Sequence, residues 1–242
     1  MKKYDFTQGS IFKSLLLISV PIIFANILQT AYQLIDTFWL GRLGASALAS
    51  ASLSFPIIYF VISLAGGLAT AAAILTAQYK GGKKFEKINM ATGQTLAAIM
   101  LVAIPISLFG ISCSGLILRF MDVGGDIYAN AVSYLRISFA GAIFMFIFMV
   151  FQSAMRGIGN VKTPMYIVLV TVILNFFLDP IFIFGFDSFS GYGVAGAAIA
   201  TVITQTIAAL TALYILFFGN KGIKIKMCDL KIKKLWIFKI FK

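Results

Sequence analysis

Six stretches of this chain are apolar for about 20 residues or more, the length an α-helix needs to cross a hydrocarbon core roughly 30 Å thick. They lie near 14–40, 46–79, 90–120, 127–155, 163–186 and 193–218. None alternates polar and apolar residues as the strands of a transmembrane barrel do, so each run predicts a helix. The expected fold class is an all-α membrane protein, a bundle of six transmembrane helices over residues 1–220, followed by a basic amphipathic tail over 221–242. Several runs exceed the minimum length, which allows tilt, kinks or extension into the headgroups.

Composition excludes the soluble alternatives. The 242 residues are 60% hydrophobic and 12% charged, too little polar material to clothe a soluble domain of this size. A net charge of +12 raises the question of a nucleic-acid partner. That reading needs the basic residues gathered on a water-facing domain, and none is present, so no nucleic-acid partner is expected. Cys113 and Cys228 do not form a disulfide framework, and without histidine they support no structural metal site. The first apolar run is too long for the core of a secretory signal and lacks a small-x-small cleavage pattern after a short apolar segment, so it reads as a retained first helix.

Of the 20 lysines and arginines, 17 fall on one side of the predicted bundle, in the N-terminus, the 2–3 loop (Lys80, Lys83, Lys84, Lys87), the 4–5 loop (Arg156, Lys162) and the tail from Lys221 to Lys242. Arg42 and Arg119 fall on the other side, with Arg136 near the start of helix 4. Positive residues stay in the cytoplasm, so this bias predicts a multi-pass protein of the cell (plasma or inner) membrane with both termini cytoplasmic. The tail interleaves its lysines with Ile232, Leu235, Trp236, Ile237, Phe238, Ile240 and Phe241. That composition suits a segment lying on the membrane lipid of an anionic leaflet, and it suits a linker equally.

Two acids stand apart. Asp5, Glu86, Asp122, Asp126, Asp187 and Asp229 map to termini or loops, whereas Asp36 lies late in helix 1 and Asp179 within helix 5. A carboxylate within a span costs at least ~2.5 kcal/mol, so such residues turn inward and mark function; local pairing near a helix end, for Asp36 with Arg42, is the structural alternative. Asn175 precedes Asp179 by four residues and shares its helical face. Pro180 cannot give the carbonyl of Phe176 its hydrogen bond, which frees a backbone oxygen. Carboxylate, amide and loosened carbonyl oxygens suit a hard cation such as sodium, and the same cluster suits a proton; the residues alone do not separate the two.

Other features have plainer readings. Gly193/Ala197 and Gly196/Ala200 give helix 6 a small-xxx-small face for close packing, and Thr201 adds a hydroxyl to the acidic site where that face meets helix 5. Ala65 to Ala73 in helix 2 repeats the small-residue pattern. The polar residues Asn26, Gln29, Gln33, Gln94, Tyr134, Arg136 and Gln152 either wet an interior face or bond helix to helix. The glycines of the 4–5 loop lack the spacing and preceding strand of a nucleotide loop. Two buried aspartates also evoke an intramembrane aspartyl protease, but Ile35 and Leu178 stand where that chemistry expects glycine, and no enzyme is expected.

Taken together, Asp36-Thr-Phe-Trp-Leu-Gly-Arg-Leu-Gly44, Arg156-Gly-x-Gly with Pro164-Met165, Asn175-x-x-Leu-Asp-Pro-Ile-Phe-Ile-Phe-Gly185 and Gly193-Val-Ala-Gly-Ala-Ala-x-Ala-Thr201 resemble, in order and spacing, the multidrug and toxic compound extrusion (MATE) transporters over about residues 1–220. The DinF-like prokaryotic branch is most similar. The resemblance implies a drug/cation antiporter, coupled to protons or sodium and needing no other cofactor. It implies that Asp36, Asn175, Asp179 and Thr201 build the proton or sodium site, with Tyr134, and by its place in helix 1 Gln29, near the hydrogen-bond network or the substrate. Export of a lipid-linked precursor is the alternative substrate class.

Members of that family have two six-helix lobes in a twelve-helix chain, and this sequence resembles the N-lobe alone. The expected partners are a small drug-like substrate, membrane lipid, and either the missing C-lobe or a second copy inserted the same way as a homodimer. A truncated, nonfunctional half-transporter is the remaining expectation.

Overall fold

A computed structural model describes residues 11–187, 189–219, 221–234, 236 and 240. The expectations for Lys2, Lys3 and Asp5, and for Leu235, Ile237, Phe238, Lys239, Phe241 and Lys242 in the tail, lie outside the described residues. Six helices follow one another: α1 Ile11–Leu43, α2 Ala45–Gly81, α3 Phe85–Phe120, α4 Gly125–Gly157, α5 Lys162–Phe184 and α6 Val194–Phe218. All six are long and apolar enough to cross a membrane, and the chain is a multi-pass bundle. Pro21, Pro56, Pro105 and Pro180 lie inside helices, a placement that a membrane bundle tolerates because neighbouring groups satisfy the freed carbonyls.

Helix ends differ from expectation where charge had suggested loop. α3 starts at Phe85 rather than near 90, taking in Glu86 and Lys87, and α4 takes in Asp126. Both acids occupy first turns, where a negative charge complements the helix dipole. Between α5 and α6 the chain makes a two-residue hairpin, β1 Gly185–Phe186 paired antiparallel with β2 Phe189–Ser190.

α4 is the axis of the lobe, packed on α2, α3 and α6, while α1 rests chiefly on α5 and α5 on α6. Lipid is as apolar as leucine, so close packing and interhelical hydrogen bonds, rather than escape from water, must hold the helices together. The buried residues fit that requirement. Alanines at 65, 72, 103, 131, 154, 209 and 212 line the main core around Phe146, Phe151 and Leu135. Buried hydroxyls bond carbonyls across helices, Ser50 Oγ to Ile127 at 3.2 Å and Ser107 Oγ to Phe139.

Beyond α6 the chain turns back along the lysine-rich end of the bundle. Ile225 N donates to the Leu216 carbonyl at 2.9 Å, and Ile223 and Ile225 enter the main core. A turn of 3-10 helix, Met227–Leu230, follows. Asp229, expected in a loop, is buried there and accepts from Lys226 N at 2.8 Å.

Candidate functional site

Helices α1, α5 and α6 meet in the half of the lobe away from the lysine-rich end. Their approach follows from small residues: a Cβ built on Gly196 would lie 2.0 Å from the carbonyl oxygen of Phe182, so α6 can sit directly on the backbone of α5 only because residue 196 is glycine. Sequence analysis placed this close face on α6, and the partner it meets is the last turn of α5.

At this junction four of the predicted residues come together. Asn175 and Asp179, one turn apart on α5, are both fully buried, and Asn175 Nδ2 donates to Asp179 Oδ1 at 2.7 Å. Asp36 of α1 is buried as well and accepts from Thr201 Oγ1 of α6 at 3.2 Å on its Oδ2. Asp36 and Asp179 lie close enough for each carboxyl group to act electrostatically on the other. Arg42, which the structural alternative would pair with Asp36, stacks its guanidinium over Phe38 at 4.9 Å and Trp39 at 5.9 Å. Trp39 in turn packs against Phe176 and Phe184 of α5.

Tyr134 is buried on α4 within electrostatic range of both aspartates, its ring edge-on to Phe55. Gln29 is exposed on α1, seven residues before Asp36, and takes no part in the bonded group. Two members were not anticipated. Tyr32 places its hydroxyl 2.5 Å from Thr204 Oγ1, and Thr204 Oγ1 donates to the carbonyl of Thr201, the residue whose hydroxyl bonds Asp36, at 2.8 Å. The signal for both was in the sequence: Tyr32 is one turn before Asp36 and Thr204 one turn after Thr201.

Among the described residues, four buried side-chain atoms lack a hydrogen-bond partner: Asp36 Oδ1, Trp39 Nε1, Asn175 Oδ1 and Asp179 Oδ2. Three of the four are oxygens of this single cluster. A buried polar atom left unpaired costs about 1–3 kcal/mol, and two neighbouring carboxyl groups repel when both are ionised. The cluster therefore suits a guest that brings positive charge. An oxygen-only donor set from Asp36, Asn175 and Asp179, with the Thr201 hydroxyl beside it, fits sodium, and a proton suits the same pair of carboxyl groups. It does not suit a transition metal: among the described residues no three His, Cys, Asp or Glu side chains converge.

Fold and site together define a multi-pass membrane protein of transporter architecture. A sequence model described as MatE matches residues 21–181. The "Probable multidrug resistance protein YpnP" of Bacillus subtilis is 37% identical over 217 residues, covering 88% of this chain and 47% of that protein. The "Multidrug export protein MepA" of Staphylococcus saprophyticus is 28% identical over 220 residues, covering 90% and 48%. A MOP superfamily transporter from Pyrococcus furiosus superposes with a TM-score of 0.91 at 27% identity, over 100% of this chain and 53% of its own. The chain belongs to the MatE family, and its six-helix bundle corresponds to the N-lobe of a twelve-helix member. It spans about half the length of the curated relatives it matches.

Proposed function

We propose that this chain acts as the N-lobe of a cation-coupled exporter of amphipathic, often cationic compounds, and that Asp36, Asn175, Asp179 and Thr201 hold the coupling proton or sodium ion. The observation that carries the reading is that three unpartnered buried oxygens belong to two neighbouring carboxyl groups and to the amide bonded to one of them. The multidrug roles printed for its relatives support the substrate class. Two buried aspartates on different helices also evoke a protease dyad, but Ile35 and Leu178 stand where that chemistry expects glycine, so transport is the better reading.

Ion binding tests the assignment without requiring a second lobe. The purified chain in lipid nanodiscs is expected to take up one sodium ion, or to release one proton on alkalinisation, per chain, and Asp179→Asn is expected to lose that uptake by tenfold or more in affinity, about 1.4 kcal/mol or greater. Wild-type affinity retained in Asp179→Asn would sink the assignment.

The cytoplasmic placement of both termini has its own test, because the chain carries two natural reporters. Cys228 is exposed at the lysine-rich end and Cys113 lies towards the opposite end of α3, partly buried. A membrane-impermeant maleimide applied to intact cells is expected to leave Cys228 unlabelled until the membrane is permeabilised. Labelling before permeabilisation would invert the orientation.

A further inference from the structure

The segment after α6 is held by its backbone and its apolar side chains, and every described lysine in it is left outside. From Ile223 to Lys226 burial alternates with period two: Ile223 and Ile225 are 1% and 2% exposed, while Lys224 and Lys226 are exposed. This is an extended strap with one face in the core. The strap then crosses α3 at Gly93, where an added Cβ would lie 2.8 Å from the backbone oxygen of Asp229. Gln94, buried within α3, spends its amide on the strap: Nε2 donates to the Asp229 and Lys231 carbonyls at 2.7 and 2.6 Å, and Oε1 accepts from Lys233 N at 2.8 Å. Asn89 Oδ1 accepts from Lys224 N at 3.0 Å. Further on, Trp236 is buried against Tyr79, with ring centroids 5.7 Å apart.

The result is a predominantly basic surface anchored by backbone contacts. Lys221, Lys224, Lys226, Lys231, Lys233 and Lys234 of the strap are exposed, and Lys83, Lys84 and Lys87 of the α2–α3 turn join them. Of the acids in these two segments, Asp229 is buried and bonded to the strap's own backbone, which leaves Glu86 as the exposed one among the described residues. Large apolar side chains stand among the lysines, Met227 at 75%, Phe85 at 56% and Ile232 at 48% exposure. Lysines interleaved with exposed apolar groups, beside the ends of membrane-spanning helices, match a bilayer surface, where ammonium groups meet phosphates and the apolar groups enter the acyl boundary. A nucleic acid has use for the charge but not for Met227 and Ile232.

We propose that the docked strap 221–234 and the α2–α3 turn form one binding surface for the headgroups of anionic phospholipids. The lobe supplies the rigidity, so the lysines meet the leaflet as a patterned array rather than as a loose tail. Because exposed charges act through water, the interaction weakens as salt rises.

Native mass spectrometry of the full chain, delipidated and titrated with phosphatidylglycerol or phosphatidylcholine, reads this directly. The wild type is expected to retain phosphatidylglycerol at least tenfold more strongly at low salt, and the preference should shrink as salt rises. A variant with Lys224, Lys226, Lys231, Lys233 and Lys234 each changed to Gln is expected to lose most of it. Glu86→Lys adds charge at an exposed position and is expected to strengthen the preference, which gives a gain to look for even if the five-site variant fails to fold. Equal retention of the two lipids by the wild type, or a Glu86→Lys preference no greater than wild type, would overturn the proposal.

Discussion

Replacing Gly196 by leucine is expected to disrupt the corner where α5 meets α6 and to cost the fold much of its stability. The built Cβ meets the Phe182 carbonyl oxygen at 2.0 Å, its carbon at 2.5 Å and Ile183 N at 2.9 Å, all backbone atoms of a helix that cannot rotate aside as a side chain would. Overpacking into a dense interior costs about 1–3 kcal/mol and more when backbone must move. The damage also spreads to function, since the same contact fixes the distance of Thr201 on α6 from Asp36 on α1. Gly196→Ala should show the same sign with a smaller loss, because the Cβ itself is the obstacle. Thermal unfolding in detergent checks both: a fall of about 10 °C or more is expected for leucine. A leucine variant that melts with the wild type would mean that α5 and α6 do not touch at Gly196.

The second large effect concerns the strap. Gln94→Leu keeps the side chain's bulk and removes three hydrogen bonds at once, two to carbonyls and one from an amide N–H. A buried backbone group stripped of its partner costs about 1–3 kcal/mol, so the strap is expected to detach rather than remain docked with its groups unpaired. Limited proteolysis reads the detachment, because trypsin cuts only backbone that opens, and the strap carries Lys224, Lys226, Lys231 and Lys233 as targets. Cleavage there should accelerate by tenfold or more in Gln94→Leu, while Gln94→Glu, which keeps the acceptor but loses the donors, should fall between. Unchanged cleavage would mean that Ile223, Ile225 and Trp236 hold the strap without Gln94.

The legible part of this structure is the part governed by local rules. Long apolar runs gave the six helices, and the missed first turns of α3 and α4 were the places where Glu86, Lys87 and Asp126 looked like loop residues yet sit favourably at a helix start. The pairing of Asn175 with Asp179 follows from a spacing of four on one helix. The same spacing sets Tyr32 on the helical face of Asp36. The proximity of Asp36 and Asp179 is of another kind. It depends on how α1 leans on α5, and no periodicity in either helix encodes that.

The strap was illegible for a related reason. Gln94 is one amide among several in the spans, and a sequence in which it bonds a neighbouring helix reads the same as one in which it reaches residues 229 to 233. Asp229 looked like a solvated loop acid because nothing in its neighbours announces the turn that buries it.

What Gln94 grips is main chain alone, and every amino acid except proline offers the same main chain. The gripping side is the constrained one: residue 93 must stay small and residue 94 must present both an acceptor and donors. On the gripped side Lys231 and Lys233 are bound without regard to what those residues are, while Asp229 also accepts from Lys226 N. In a set of relatives that share the strap, columns 93 and 94 are therefore expected to hold still while the positions lying across them drift, so lineages in membranes of different lipid content can retune that surface without dismantling its attachment.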